Sequence, residues 1–442
     1  MVAILAQNLE NAPTHNRKPH LWILIVCAVL AGLIFACLQF TNRAKAPLLI
    51  PVVSGPPVAA QRPAQIALSD QAGLLLAPDG RLWFWGNYRW STVGTVPPNL
   101  TPSLLDPTNR WTRLAGGSHH FLVIRDDGTL WGLGANFYGQ LGNPPGTDSN
   151  LVQLSPATNW IEIAAGSRSS LGLQRDGTLW AWGGNHLGSL GLGDPTPNVV
   201  YPIRQVSHSE RWRAIGINAG SCWAIHTNGT LWGWGEISSG QIRTRPEPFT
   251  PVAPWEAIGT GGQPVALVRE GKLYLFPSSP GPKTPGNREP LEPTPIANPS
   301  DPLWTRDLFT AGDAVFARQS DGSWWAMGAN TLGRFGVGNP KRLTSMTRLP
   351  WPKETLALDA NTVSSYAFLA DGSLWHTGWA IDSTAPANNS GLASRFVKSL
   401  NAIGGMLMGA DTWSVNAPHS RYPVKIWTWP SQPNHQPPTT NN

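Results

Sequence analysis

The chain has 442 residues, of which 46 are Gly, 42 Pro and 23 Trp, while Asp, Glu, Lys and Arg together make only 13%. So much Gly and Pro excludes long amphipathic helices, 41% hydrophobic residues excludes a disordered chain, and what is left is an all-β protein of short strands and many turns. The formal charge of +6 is dispersed, with no basic run longer than the pairs Arg17-Lys18 and Lys341-Arg342, so nucleic acid is not an expected partner.

Residues 1–20 form a short polar head. Leu21 to Phe40 then reads LWILIVCAVLAGLIFACLQF, uncharged and with Gln39 as its strongly polar side chain. Twenty helical residues span about 30 Å, the thickness of a bilayer's hydrocarbon core, so residues 21–40 are expected to form one transmembrane helix. The run is longer than the apolar region of a cleavable signal, about 7 to 15 residues, which favours an uncleaved signal anchor. Lipoprotein processing at Ile34-Phe35-Ala36-Cys37 stays open as a rival. Arg17 and Lys18 on one flank are balanced by Arg43 and Lys45 on the other, so flanking charge does not decide orientation. The short head favours a cytoplasmic N-terminus and a large domain outside the cytoplasm. Residues 41–63, with Pro47, Pro51, Pro56 and Pro57, read as a stiff tether. Cys27 and Cys37 lie in the apolar run, which leaves Cys222 alone in the remaining chain and excludes a disulfide or cysteine metal site there.

From residue 64 to 430 the chain repeats itself. Asp79-Gly80-Arg81-Leu82-Trp83, Asp127-Gly128-Thr129-Leu130-Trp131, Asp176-Gly177-Thr178-Leu179-Trp180 and Asn228-Gly229-Thr230-Leu231-Trp232 are four copies of one unit. Glu270-Gly271-Lys272-Leu273-Tyr274, Asp321-Gly322-Ser323-Trp324-Trp325 and Asp371-Gly372-Ser373-Leu374-Trp375 continue the series, and Ile426-Trp427-Thr428-Trp429 is a degenerate last copy. The period is about 50 residues, which is propeller spacing. Each Asp-Gly or Asn-Gly is expected to form a two-residue type I′ hairpin turn. Trp111, Trp160, Trp212, Trp255 and Trp304 start a further strand upstream of the hairpin. Four strands per unit, unable to bury both faces alone, imply a ring of blades. Residues 277–303 hold nine prolines and read as an extended loop. Residues 431–442 are expected to be a disordered tail.

The hairpin followed by Asn136-Phe137-Tyr138-Gly139-Gln140-Leu141-Gly142 resembles the regulator of chromosome condensation (RCC) repeat family. Two further turns are similar, starting at Asn185-His186-Leu187-Gly188-Ser189-Leu190-Gly191 and at Asn330-Thr331-Leu332-Gly333-Arg334-Phe335-Gly336. That family forms seven-bladed β-propellers; eight hairpin-like units are present here, so eight blades stay open at this stage. The resemblance also implies nucleotide exchange on a small GTPase, the founding member's activity. That activity depends on an inserted wedge with no counterpart here, and on a cytoplasmic domain. A plant photoreceptor of the family uses a repeated Gly-Trp-Arg-His-Thr motif, which is missing.

No phosphate-cradling loop and no Gly-x-Ser-x-Gly elbow occurs, and His119-His120 lacks further ligands at metal spacing. No catalysis and no cofactor is expected. A protein partner is, and the expected surface is the set of loops at one end of the ring, where functional residues concentrate. Tyr88, Arg89 and Trp90 in the first loop, with Tyr138, His186 and Arg334 at comparable points of later repeats, are the residue types that dominate binding energy. The rival reading is a cell-envelope enzyme, with carboxylates converging on the central tunnel.

Overall fold

Two apolar strands joined by a tight turn bury little on their own, so each repeat is stable only when its sheet is covered on both faces by neighbours. The computed structural model describes residues 63–87, 99–146, 148–218, 220–238, 241–249, 254–276, 293–297, 303–379 and 419–428. The head, the apolar run 21–40, the tether and the tail 431–442 lie outside the described residues. Among the described residues no helix is long and apolar enough to cross a membrane.

The described strands form seven four-stranded antiparallel sheets, each built from four consecutive strands. Blade 1 runs Gln65–Leu68, Ala72–Leu76, Leu82–Gly86 and Asn99–Asp106. Blade 7 runs Thr355–Ala360, Ser364–Leu369, Ser373–Trp379 and His419–Thr428. The degenerate eighth copy is therefore no blade: Trp427 lies in the outer strand of blade 7, opposite Leu374. Inner strands begin at Trp111, Trp160, Trp212 and Trp304, as the second phase of the repeat predicts, and Trp255 stands two residues before the inner strand Ala257–Gly259. Of the Pro-rich connection 277–303 only residues 293–297 and 303 are described, and there Thr294–Pro295 pairs with Tyr274 and Leu275 as the short outer strand of blade 5, where an extended loop was expected. An outer edge is where a sheet tolerates proline.

The turns are not of the type predicted. In six blades only the glycine has positive φ, as at Gly80, Gly128 and Gly177, and the Asp or Asn before it does not. Gly177 N–H donates to Gln174 O and Gln174 N–H to Thr178 O, each at 2.9–3.0 Å, the pattern of a type I turn closed by a bulge glycine. Only blade 5 has a two-residue turn with positive φ at both positions, Glu270 (52°) and Gly271 (66°). The Asp side chains explain the preference. Asp176 Oδ1 accepts from the Thr178 amide (3.0 Å) and hydroxyl (2.7 Å), and that hydroxyl accepts from Trp180 Nε1 (3.0 Å). The same relay joins Asp127, Thr129 and Trp131, and also Asp321, Ser323 and Trp325.

Blades pack face to face through apolar clusters. Leu122, Ile124 and Leu130 of blade 2 meet Trp160, Ile163 and Trp182 of blade 3. Trp182 is fully buried and donates across the seam to Gln140 O at 2.8 Å. Gly172 lets Trp160 lie flat on its strand, since a Cβ there would fall 2.5 Å from Trp160 Cζ3. Inner strands of neighbouring blades do not pair, so polar side chains take their edge amides. Gln65 Oε1 accepts from Leu114 N (3.0 Å), Glu162 Oε1 from Ile215 N (3.5 Å) and Asp359 Oδ2 from Leu68 N (2.8 Å). The last of these joins blade 7 to blade 1.

Candidate functional site

Consecutive antiparallel strands put the turns after strands one and three at one end of every blade and the Asp-Gly turns at the other. The Asn-x-x-Gly-x-Leu/Phe-Gly segments follow the third strand, so they lie on the first of these faces, together with the short turns 117–119, 166–168 and 312–313. The asparagine of each segment is a buried staple. Asn136 Oδ1 accepts from Leu141 N (2.9 Å), Asn185 Oδ1 from Leu190 N (3.1 Å) and Asn330 Oδ1 from Phe335 N (2.8 Å), while each amide nitrogen holds a carbonyl further along the loop.

Two of the cavities that open on this face bear on the expected sites. One, of about 260 Å³, is the mouth of the central channel and takes residues from all seven blades, among them Asp70, Ser118, Ser167, Asn218, Thr310 and Asp359. The other, of about 420 Å³, lies across blades 2, 3 and 4 and is lined by Tyr138, Arg168, His186, Asn218, Cys222 and Glu236, among others. It unites two residues singled out from sequence, Tyr138 and His186, which come from successive repeats. Tyr138 does not pack inside its own turn. Its ring lies 4.6 Å beneath the Arg168 guanidinium of the next blade. His186 is exposed. Phe137 (40%), next to Tyr138, and Tyr201 (42%) are exposed aromatics, and Gly139 packs against Val199 and Tyr201 of the next blade.

Arg334 is a correction. It occupies the repeat position of Gln140 and Ser189, which faces the neighbouring blade, and it is 1% exposed. Its guanidinium donates to Asn361 O (2.7 Å) and twice to Ala329 O (2.8 and 3.0 Å). Burial pushes its pKa down to about 10, and it serves as a strut between blades 6 and 7. Tyr88, Arg89 and Trp90 lie outside the described residues.

The groups that could do chemistry are engaged elsewhere. His120 is buried, bonds Ser170 Oγ through Nε2 (2.9 Å), and is pushed down to about 3 by burial first and His119 second. His119 turns instead to Asp70 of blade 1, at 3.8 Å. Cys222 reaches the pocket wall fully buried, and burial raises its thiol pKa. Burial also pushes the channel-side carboxyls of Glu162 and Asp359 up to about 7, and each already accepts a backbone amide of the next blade.

Residues 111–140 and 160–189 match the Regulator of chromosome condensation (RCC1) repeat, and residues 127–173 match a second description of the same repeat. Residues 111–189 carry RCC1 repeats. Over 86 residues it is 29% identical to the regulators of chromosome condensation of Mus musculus and Homo sapiens, a stretch covering 18% of this chain and 20% of each relative. The match thus spans about a fifth of the length of those relatives. Among solved structures, the RCC1-repeat ring is similar to human WBSCR16, with TM-score 0.59 and 20% identity over 72% of this chain and 94% of that one. It is also similar to yeast RCC1 (Prp20) bound to Kap60, with TM-score 0.52 and 17% identity over 64% and 74%. Prp20p from Saccharomyces cerevisiae, described with its binding properties to Gsp1p and histones, gives 0.51 and 17% over 64% and 76%. These similarities show the fold.

Sequence reasoning missed Arg168 and Glu236. The carbonyl of Arg168 accepts from Gly184 N, and Glu236 N donates to Gly220 O, the same turn bonds as in other blades. Their side chains stand where other repeats carry different residues. Glu236 stands at a strand end that holds Asn87, Ala135, Gly184, Ala329 and Trp379 in other blades, and a charge where these five are uncharged is the signal that was available.

Proposed function

We propose that this chain is a protein-interaction module whose binding surface is the face carrying the Asn-x-x-Gly turns, without catalysis of its own. The observation that carries this reading is the surface of blades 2 to 4. Two exposed aromatics, Phe137 and Tyr201, stand within two residues of Tyr138 and Val199, which line a cavity with Arg168 and His186, on a ring held by seven packed seams. Rigid scaffolds with aromatic anchors beside concave sites are what partner proteins dock on. A tunnel enzyme has less support, because of the two carboxylates at the channel mouth Asp359 is committed to a backbone amide and Asp70 faces His119. The similarity to Prp20p, which has binding properties to Gsp1p and histones, supports a protein as the class of partner. The uncharged run 21–40 supports a membrane tether with the ring outside the cytoplasm.

The test is capture of partners by the full chain after cross-linking in its native cells. Tyr201→Ala and Phe137→Ala, both at exposed positions, are expected to fold normally and to weaken capture by about 2 kcal/mol or more, roughly thirtyfold in Kd. Unchanged capture by both would overturn the assignment of this face. For the tether, protease added to intact cells is expected to digest the ring while the N-terminal fragment stays in the membrane fraction. Full protection, or release of the chain by a salt wash, would reject it.

A further inference from the structure

Arg168 and Glu236 are both exposed and border one cavity. Neither guanidinium nor carboxylate has a hydrogen-bond or ion-pair partner among the described residues, and they do not pair with each other. Arg168 is nonetheless held in place. Its cation stacks on Tyr138 at 4.6 Å, an arrangement that leaves the N–H groups at the guanidinium edge free to donate. A ligand of one sign would satisfy one of these groups and be repelled by the other. Only a ligand with both signs uses the pocket fully, and about 420 Å³ is room for two side chains and the backbone between them.

We propose that the pocket across blades 2 to 4 binds a peptide segment carrying one acidic and one basic side chain, the carboxylate seated on Arg168 and the cation on Glu236. This rests on the reading of the face as an interaction surface and names the chemistry of its partner. A peptide is the occupant because one short segment can carry both charges to the opposite charges of Arg168 and Glu236, and the exposed aromatics Phe137 and Tyr201 stand within two residues of the lining residues Tyr138 and Val199. The two anchors also define a direction. A segment entering with its charges reversed would place like against like, which selects one chain polarity.

The probes are capped, fluorescently labelled peptides with a lysine and an aspartate separated by one, two or three glycines, and their Lys→Gln and Asp→Asn counterparts. Anisotropy is read on the full chain, on Arg168→Gln and on Glu236→Gln. At least one spacing is expected to bind about tenfold more tightly than either singly charged counterpart. Arg168→Gln should then lose the preference for aspartate over asparagine while keeping that for lysine over glutamine, and Glu236→Gln should do the converse, as in a double-mutant cycle. Equal affinity for all peptides, no binding at any spacing up to about 1 mM, or variants that leave both preferences intact would overturn the proposal. Partner capture separates this from failure of the wider reading. Capture lost on Tyr201→Ala but untouched by both charge variants rejects the dipolar pocket alone, whereas capture untouched by all four variants rejects the face.

Discussion

Trp180 and Trp182 lie two apart on one strand and both meet the edge of Trp160, at 6.2 and 6.4 Å, yet they do different work. Trp182 is sealed between blades 2 and 3, while Trp180 is half-buried and held by the hydroxyl of Thr178. The conspicuous tryptophan of the repeat motif is thus the lesser core residue. Trp182→Ala is expected to cost about 3 to 5 kcal/mol, more than Trp180→Ala, and Thr178→Val about 1 to 2 kcal/mol through the broken relay; denaturant unfolding checks the order. Asp359 and Glu162 make a second expectation. Both have folded pKa values raised to about 7 by burial, so their stabilising neutral form is complete below the ordinary carboxylate range and is lost as pH rises towards 7. His120, lowered by burial, acts oppositely below its ordinary value of 6.5, so the whole-protein profile is partly flattened. The variant isolates the effect. Asp359→Asn should gain stability over the parent as pH rises from 4 to 7 and hold that advantage above; a constant difference in unfolding midpoint across that range would refute it.

At the level of the element, the sequence was most legible where the repeat is strict. The tryptophan phases gave the inner strands, and the Asp-Gly dipeptides gave the hairpins, because turn chemistry is local. The turn type was misread for a physical reason. A carboxylate that can bond both the amide and the hydroxyl two residues on stabilises an ordinary type I turn, and the dipeptide alone does not display that acceptor pattern. Blade 5, which has Glu270 in place of Asp, is the exception, and it places a non-glycine residue at φ 52°. Asparagine tolerates that conformation better than glutamate. Glu270→Asn is therefore expected to raise stability by about 1 kcal/mol, seen as a higher denaturant midpoint; a lower midpoint would contradict the turn assignment. The candidate site was half legible. Tyr138 and His186 stand in the motif, but Arg334, equally conspicuous, is buried, because one position of that turn points at the next blade. Arg168 and Glu236 belong to separate repeats and meet only when two blades pack.

For the whole molecule, the ring closes without exchanging strands between its ends. Blade 7 meets blade 1 through Trp83 and Trp427 (4.9 Å), Trp85 and Tyr366 (5.3 Å), and the bonds Leu68 N to Asp359 and Asn361 Nδ2 to Ser69 O (3.1 Å). Removing everything after Pro350 would expose the partner faces of blades 1 and 6, where Trp83, Trp85, Trp324 and Phe335 are buried in the intact ring. Such a truncation is expected to aggregate, and light scattering would report it; a soluble, cooperatively unfolding fragment would show that closure is dispensable. Eight hairpin-like units were visible in the sequence and seven blades formed, because a strand copy becomes a blade only if three more strands accompany it.

Because every blade is one uninterrupted segment, the seam between the last and the first is chemically of the same kind as the six others. Only the absence of a covalent connection marks it. Elsewhere the outer strand of one blade leads to the inner strand of the next through a short link, as from Asp106 to Trp111 or from Ser155 to Trp160. A link of similar length from Thr428 to Gln65 would make the ring a closed loop of chain, which could then be opened at any other seam. The order of the blades, not their starting point, is what the fold requires.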